Sequence, residues 1–243
     1  MSTDRTIRQT PPQVLEQLRA LDACTVSNAI ERLNVRLRND GFTDISVRCL
    51  SPSLPPMVGY AATARIRTAL APTESPTTRY WYHEHMDWWA YIETIPAPRV
   101  IVFEDIDTRP GFAALFGELH ARIGCALGCI GYVTNGAVRD LPGIARTGFH
   151  LFAQGVSVSH AYAHVVDFGG PVKVGGLRVN PGDLLHGDLH GVVSVPAAIA
   201  AEVPKVAAEL RAQEGELIRL CQPGHFSMEK LRGHIERNRY VSK

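Results

Sequence analysis

The chain lacks several features that would place it in a specialised class. It has no apolar run near the roughly 18 residues of a helical membrane span, so a membrane partner is not expected. Its formal net charge is only +1, which argues against a nucleic-acid partner held through phosphates. The N-terminal stretch Met1-Ser-Thr-Asp-Arg-Thr-Ile-Arg8 has no apolar core of the signal-peptide kind, and a cytoplasmic location is the expectation. There are five cysteines, Cys24, Cys49, Cys125, Cys129 and Cys221, with no CxxC pair. Such a set predicts reduced, mostly buried thiols rather than disulfides or a zinc knuckle. Lysines are scarce: Lys173, Lys205, Lys230 and Lys243. Only Lys173 falls in the β-rich part of the chain, which leaves few candidates for Schiff-base chemistry.

What is present suits one soluble domain. Hydrophobic residues make up 45% of 243, enough for a sizeable core. Pro11-Pro12 opens a helical stretch, and a second helix is predicted over Thr25–Leu33. Gly59–Thr68 and Arg99–Glu104 read as strands, and Phe112–Leu127 as a helix containing Gly117-Glu-Leu-His120. Glycine-punctuated strands follow from Phe149 to Val195. Pro196 opens a helix to about Leu220, and a last helix covers about Met228–Arg239. Helices flanking a mixed set of strands predict an α/β layered domain.

The stretch Gly128 to Asp140 organises the candidate chemistry. Cys129–Val133 reads as a short buried strand, Asn135-Gly136 breaks it, and Arg139-Asp140 follows at its C-terminal end. Ligands of α/β proteins sit at that edge of the sheet. Arginine offers a fork for a carboxylate, and aspartate offers oxygen to a hard cation. The plain alternative is a surface ion pair after a turn. Other groups compete. His83, Glu84 and His85 lie in the aromatic stretch Tyr80–Tyr91, which reads as a packed aromatic flap rather than a metal centre. His160 and His164, and His186 and His190 around Asp188, are each four apart, but on strands and turns rather than helices.

Six segments in order resemble the family of the regulator of ribonuclease activity A, which includes 4-hydroxy-4-methyl-2-oxoglutarate aldolase. They are Gly117-Glu-Leu119, Gly136-Ala-Val-Arg-Asp140, Leu151-Phe-Ala-Gln-Gly155 with Val174-Gly-Gly176, Pro181-Gly-Asp183, and Gly187-Asp-Leu-His-Gly-Val-Val193. The resemblance implies an α/β/β/α sandwich of the swivelling phosphohistidine-domain type with added N- and C-terminal helices. It implies a single domain over residues 1–243, with its core at about 21–220 and a helical extension at about 221–243. It further implies a homotrimer or homohexamer with sites between subunits. Asp140 would help bind Mg²⁺ or Mn²⁺, largely through water. Arg139 and the backbone of Gly117, Glu118, Leu119 and His120 would hold a 2-oxo acid. Glu214, on the C-terminal helix, is the match for an acid supplied across the interface. The implied activity is metal-dependent aldol cleavage releasing pyruvate, with oxaloacetate decarboxylation at the same site. The alternatives are a non-catalytic regulator of a ribonuclease, and a metal-dependent lyase or hydratase on a sugar-derived acid. Two positions depart from the family pattern: Gly143 stands where an acid is usual, and Asn135 where an aspartate is usual.

Overall fold

The computed structural model describes residues 7–70 and 86–238. Its centre is a run of βαβ units. Strand β2 (Met57–Arg67) leads through helix α3 (Met86–Thr94) to β3 (Arg99–Asp105), then through α4 (Glu118–Ala126) to β4 (Cys129–Thr134), and through β5 (Ala137–Val138) and α5 (Leu141–Ala145) to β6 (His150–Ala153). β2, β3, β4 and β6 are parallel neighbours in that order. The antiparallel edge beyond β6 is β1 (Arg48–Cys49). Beyond β2 lie β11 (Leu184–Asp188) and β12 (Gly191–Val195), while β8 (His164–Phe168) pairs with the distal half of β2. The class is the mixed α/β one that the sequence predicts.

Alternation along β2 and β3 separates two cores. Val58, Tyr60, Ala62, Ile101 and Phe103 face the helical side, under α1 (Pro12–Arg19), α2 (Ala23–Leu33), α3 and α4. Met57, Ala61, Val100 and Val102 face the other side, where the hairpin of β9 (Val172–Val174) and β10 (Leu177–Val179) covers them. Helix α6 (Val203–Leu220) packs on α1 and α2, and α7 (Met228–Asn238) packs on α6.

Four expectations need correction. Residues 112–117 are not helical: α4 begins at Glu118, and Phe116 instead bridges Val138 as an extra strand contact. The apolar run there is buried by a β-type bridge, which periodicity alone cannot tell from a helix face. Likewise, α6 begins at Val203 rather than Pro196, and residues 197–202 are turns. Only Cys129 is buried, with Cys49 part-buried, whereas Cys24, Cys125 and Cys221 are exposed on or next to helices. Of the aromatic stretch, residues 80–85, with His83, Glu84 and His85, lie outside the described residues. The remainder is core rather than flap: Trp88 and Trp89 are buried, and Trp88 packs on Phe103 with ring centroids 5.0 Å apart.

Half-buried His150 and buried His186 are expected to make the fold's stability depend on pH. Burial, with Arg19 nearby, lowers His150 from the usual 6.5 to about 4. Burial also lowers His186, whose Nε2 lies 3.1 Å from the Leu18 carbonyl and 3.0 Å from that of Leu21. The folded state therefore binds fewer protons than the unfolded chain between these pKa values. The stability His150 contributes is complete above pH 6.5 and is lost as pH falls from 6.5 toward 4, and His186 adds to the loss in the same direction. Urea denaturation at pH 7.5 and pH 5 should show a loss of order 1–2 kcal/mol from His150, and His150→Gln should flatten that dependence.

Candidate active site

The site is assembled at the C-terminal ends of β3 and β4. Asn135 joins them: its Oδ1 accepts the Asp105 N–H at 2.8 Å and its Nδ2 donates to the Asp105 carbonyl at 3.0 Å. An aspartate at 135 could accept but, when ionised, could not donate, so the amide serves this clamp better. Asp105 in turn accepts from the backbone of Asp107 and Gly111 at 3.1 and 2.8 Å, which folds the loop after β3 back on itself. Burial raises the Asp105 pKa against those bonds. For Asp107 burial pulls upward as well, but the N–H groups of Thr68 and Ala69 and the nearby Arg67 hold it below the usual range. Neither aspartate stood out in the sequence beyond its place after a strand. Their role here is to shape the loop.

Past β4, Gly136 N–H donates to the Thr134 hydroxyl at 2.9 Å, and the chain enters β5. Strand β5 runs between Phe116 on one side and β7 (Gly155–Val156) on the other. The Arg139 N–H donates to the Phe116 carbonyl at 3.0 Å. Asp140 then turns with φ 57° and ψ 36°, a left-handed conformation that aspartate and asparagine accept more readily than most residues. That turn starts α5, whose Gly143 and Ile144 N–H groups donate to the Asp140 carbonyl.

The turn aims the Asp140 carboxylate at the first residues of α4. Its Oδ2 lies 3.3 Å from the Glu118 N–H, at the end of the helix where the dipole attracts negative charge. Gly117 makes the approach possible. A Cβ there would sit 2.5 Å from Asp140 Oδ2 and 3.1 Å from Arg139 Cγ. Its φ of −142° is ordinary extended backbone, so glycine is required for space and not for conformation. Arg139 Nε is 3.3 Å from Asp140 Oδ1, and the two side chains are 27% and 43% exposed. Its two terminal NH₂ groups have no acceptor among the described residues. The plain ion pair is therefore present but long and solvent-facing, and it leaves the guanidinium fork open.

Glu118 does more than lend its amide. Its carboxylate takes Arg122 Nε and Nη2 at 2.9 and 2.6 Å, and Arg146 Nη2 approaches at 3.5 Å. It lies directly over Gly143, where a Cβ would come within 2.0 Å of Glu118 Oε2. Three guanidiniums, those of Arg122, Arg139 and Arg146, thus face two carboxylates, Glu118 and Asp140, and the patch is locally positive. Arg122 was visible in the sequence only as a helix i,i+4 partner of Glu118. Arg146 becomes part of the group only once α4 and α5 meet. Gly143→Ala should cost about 1–3 kcal/mol in the wild type, because the flexible Glu118 carboxylate must move aside and the Glu118 Cβ, 2.9 Å from the new methyl, cannot; in a Glu118→Ala background only the second part of that cost should remain. A double-mutant cycle by urea denaturation measures the difference.

The other predicted residues are placed as follows. Leu119 is half exposed on α4, whereas the His120 side chain is buried between Phe116 and Trp89. Glu214 is exposed on α6, which packs over α1 and α2 and not beside α5. Lys173 is exposed on β9. His190 Nδ1 lies 3.1 Å from Asp188, which also accepts from Ala23 N–H at 2.9 Å, a structural tie between β11 and α2. His160 is exposed and His164 part-exposed. Among the described residues, no three His, Cys, Asp or Glu side chains gather as a metal-ligand cluster.

Comparison with known proteins agrees with this fold. A solved structure from Pseudomonas syringae, described as an uncharacterized protein, superposes with a TM-score of 0.72 at 23% identity, covering 96% of this chain and 99% of that one. Streptomyces coelicolor RraAS2, described as an unusual member of the RNase ES inhibitor RraA family, gives 0.67 at 22% identity, covering 88% and 98%. At these identities the likeness is one of fold. In sequence, the chain is 25% identical over 228 residues to protein DlpA of Legionella pneumophila, which covers 92% of this chain and 34% of DlpA. It is 28% identical over 102 residues to a protein of Halalkalibacterium halodurans named as a candidate 4-hydroxy-4-methyl-2-oxoglutarate aldolase, covering 42% of this chain and 49% of that one. The matches thus span about a third and about half of the lengths of these two relatives. The family model described as RraA-like, Aldolase/RraA, matches residues 23–194, from the start of α2 into β12, and the chain belongs to the RraA-like family.

Proposed function

We propose that the Arg139–Asp140 site is that of a divalent-metal-dependent carbon–carbon lyase that cleaves a 2-oxo acid and releases pyruvate. The observation that carries this reading is the Asp140 carboxylate, held by a left-handed turn against the α4 N-terminus beside an arginine whose terminal NH₂ groups are unengaged. The residues fit the ion that the family implies. The two hydrogen bonds to Asp140 are long, 3.3 Å each, so its oxygens keep lone pairs for a cation or for that cation's waters. A single carboxylate with no cluster around it suits Mg²⁺ or Mn²⁺, which keep much of their hydration shell, better than zinc. Bound there, the ion supplies Lewis-acid polarisation of the 2-oxo group.

The chain's own residues account for the rest. The Arg139 fork binds the substrate carboxylate through two N–H donors. Arg122 and Arg146 hold Glu118 in place and keep the patch positive for a dianionic substrate. In aldol cleavage the 4-hydroxyl gives its proton to a nearby water, the C3–C4 bond breaks with its electron pair moving toward the 2-oxo group, and the C4 fragment leaves as a carbonyl compound. Protonation at C3 then gives pyruvate. Loss of carbon dioxide from oxaloacetate delivers the same electron pair, so both reactions suit one site. Phe112, Leu119, Val156 and Val158 are exposed around these segments, an apolar surface that suits a subunit boundary, and the homotrimer or pair of trimers that the family resemblance implies would use it. There a neighbour's Glu214 would complete it.

Pyruvate release from oxaloacetate and from a 4-hydroxy-2-oxo diacid, with Mg²⁺ and with EDTA, tests the reading. Release that needs the metal is expected. A second reading, a non-catalytic regulator of a ribonuclease, is favoured by glycine at 143. Absence of release from either substrate, with inhibition of a ribonuclease by the purified chain, would establish it instead.

A further inference from the structure

A cavity lies toward the β12 edge of the sheet, lined from β10, β11, β12 and the segment at residues 7–8. Its volume is about 600 Å³, and Arg8, Arg36 and Arg178 all contribute to its wall. It is separated from β4 and the Arg139 turn by β3, β2 and β11. The position of Arg36 is built in. Gly41 has φ +88°, and a Cβ there would lie 2.0 Å from Arg36 Cζ, so the guanidinium occupies space that only glycine leaves. Arg36 Nη1 donates to the Ser194 carbonyl at 2.9 Å and to the Ser194 hydroxyl at 2.8 Å. Its Nε and Nη2 have no acceptor among the described residues.

The charges in the wall do not cancel. Asp183 accepts the Asn180 N–H at 2.7 Å and its Nδ2 at 3.1 Å and is thereby engaged. Asp40 acts on Arg36 through space without forming an ion pair. Arg178 is exposed on β10 with no acidic partner among the described residues. A half-buried guanidinium with donors left over, next to further guanidiniums, suits an incoming oxyanion. Burial opposes the charge on Arg36, which an anion beside it would offset.

We infer that this cavity binds a small oxyanion, a phosphoryl or carboxylate group of a metabolite-sized molecule, at a site separate from Arg139 and Asp140. Arginine forks match both oxyanions bidentately. The test is calorimetric titration of the full chain with inorganic phosphate and, in a second arm, with malonate, in EDTA and at fixed ionic strength. Saturable binding of one ion per chain by at least one of them is expected, and the arm that binds identifies the group. Arg178→Gln and Arg36→Gln should each weaken it at least about ten-fold, the size of one lost charge-assisted contact. The same losses are expected in an Arg139→Gln background, which removes the other carboxylate-binding fork from the malonate arm. Should Arg36→Gln fail to fold, Arg178→Gln decides alone, since Arg178 is exposed. Saturable binding of neither ion in the Arg139→Gln background, or binding there that is unaffected by Arg178→Gln, overturns the inference.

Discussion

Asp140→Ala is expected to lower metal-dependent pyruvate release about 10²–10³-fold, the size of a lost electrostatic contact worth about 3–4 kcal/mol of barrier. Alanine also meets a backbone penalty at φ 57°, of about 1 kcal/mol in stability. Asp140→Asn separates the two effects. Asparagine tolerates the left-handed turn and keeps an oxygen for the Glu118 N–H, but it carries no charge. The asparagine variant should therefore fold like the wild type and turn over as poorly as the alanine one. Steady-state kinetics alongside thermal unfolding distinguishes these outcomes. Turnover by Asp140→Asn equal to wild type would remove the carboxylate from the reaction.

The largest effect on stability is expected at Phe116. Its ring is fully buried, stacked on Tyr132 at a centroid distance of 4.1 Å and packed on Phe149 at 5.5 Å. Phe116→Ala should cost about 3–5 kcal/mol by urea denaturation, from lost transfer free energy plus the cavity left behind. Phe116→Leu should cost less, because it retains most of the volume. The residue also couples core to site: its carbonyl accepts the Arg139 N–H and its backbone bridges Val138. A cost below about 1 kcal/mol would mean that this stack contributes little to holding the Arg139 turn.

Much of this was legible beforehand, for physical reasons. Continuous apolar runs marked β3 and β4, since strands buried on both faces show no alternation. Asn135-Gly136 marked the break, and Arg139-Asp140 stands where ligands of parallel sheets bind. The beginning of α4 was not legible. Phe112, Leu115 and Phe116 have helix-like spacing, yet Gly111 and Gly117 bracket a segment that pairs with β5. Thiol burial was misjudged because cysteine's usual preference says nothing about which helix face Cys24 or Cys125 occupies. The relation between Gly143 and Glu118 was hidden too. They are far apart in sequence, and what joins them is the absence of a side chain, which only the packing of α4 on α5 reveals.

The account turns on whether Asp140 anchors a divalent cation. Titration of the chain with Mn²⁺, followed by electron paramagnetic resonance of the free ion, measures this without any substrate. One Mn²⁺ per chain, bound at least about ten-fold more weakly by Asp140→Asn and displaced by Mg²⁺, is the predicted result. Equal Mn²⁺ affinity in wild type and Asp140→Asn, or no binding by the wild type, would contradict it.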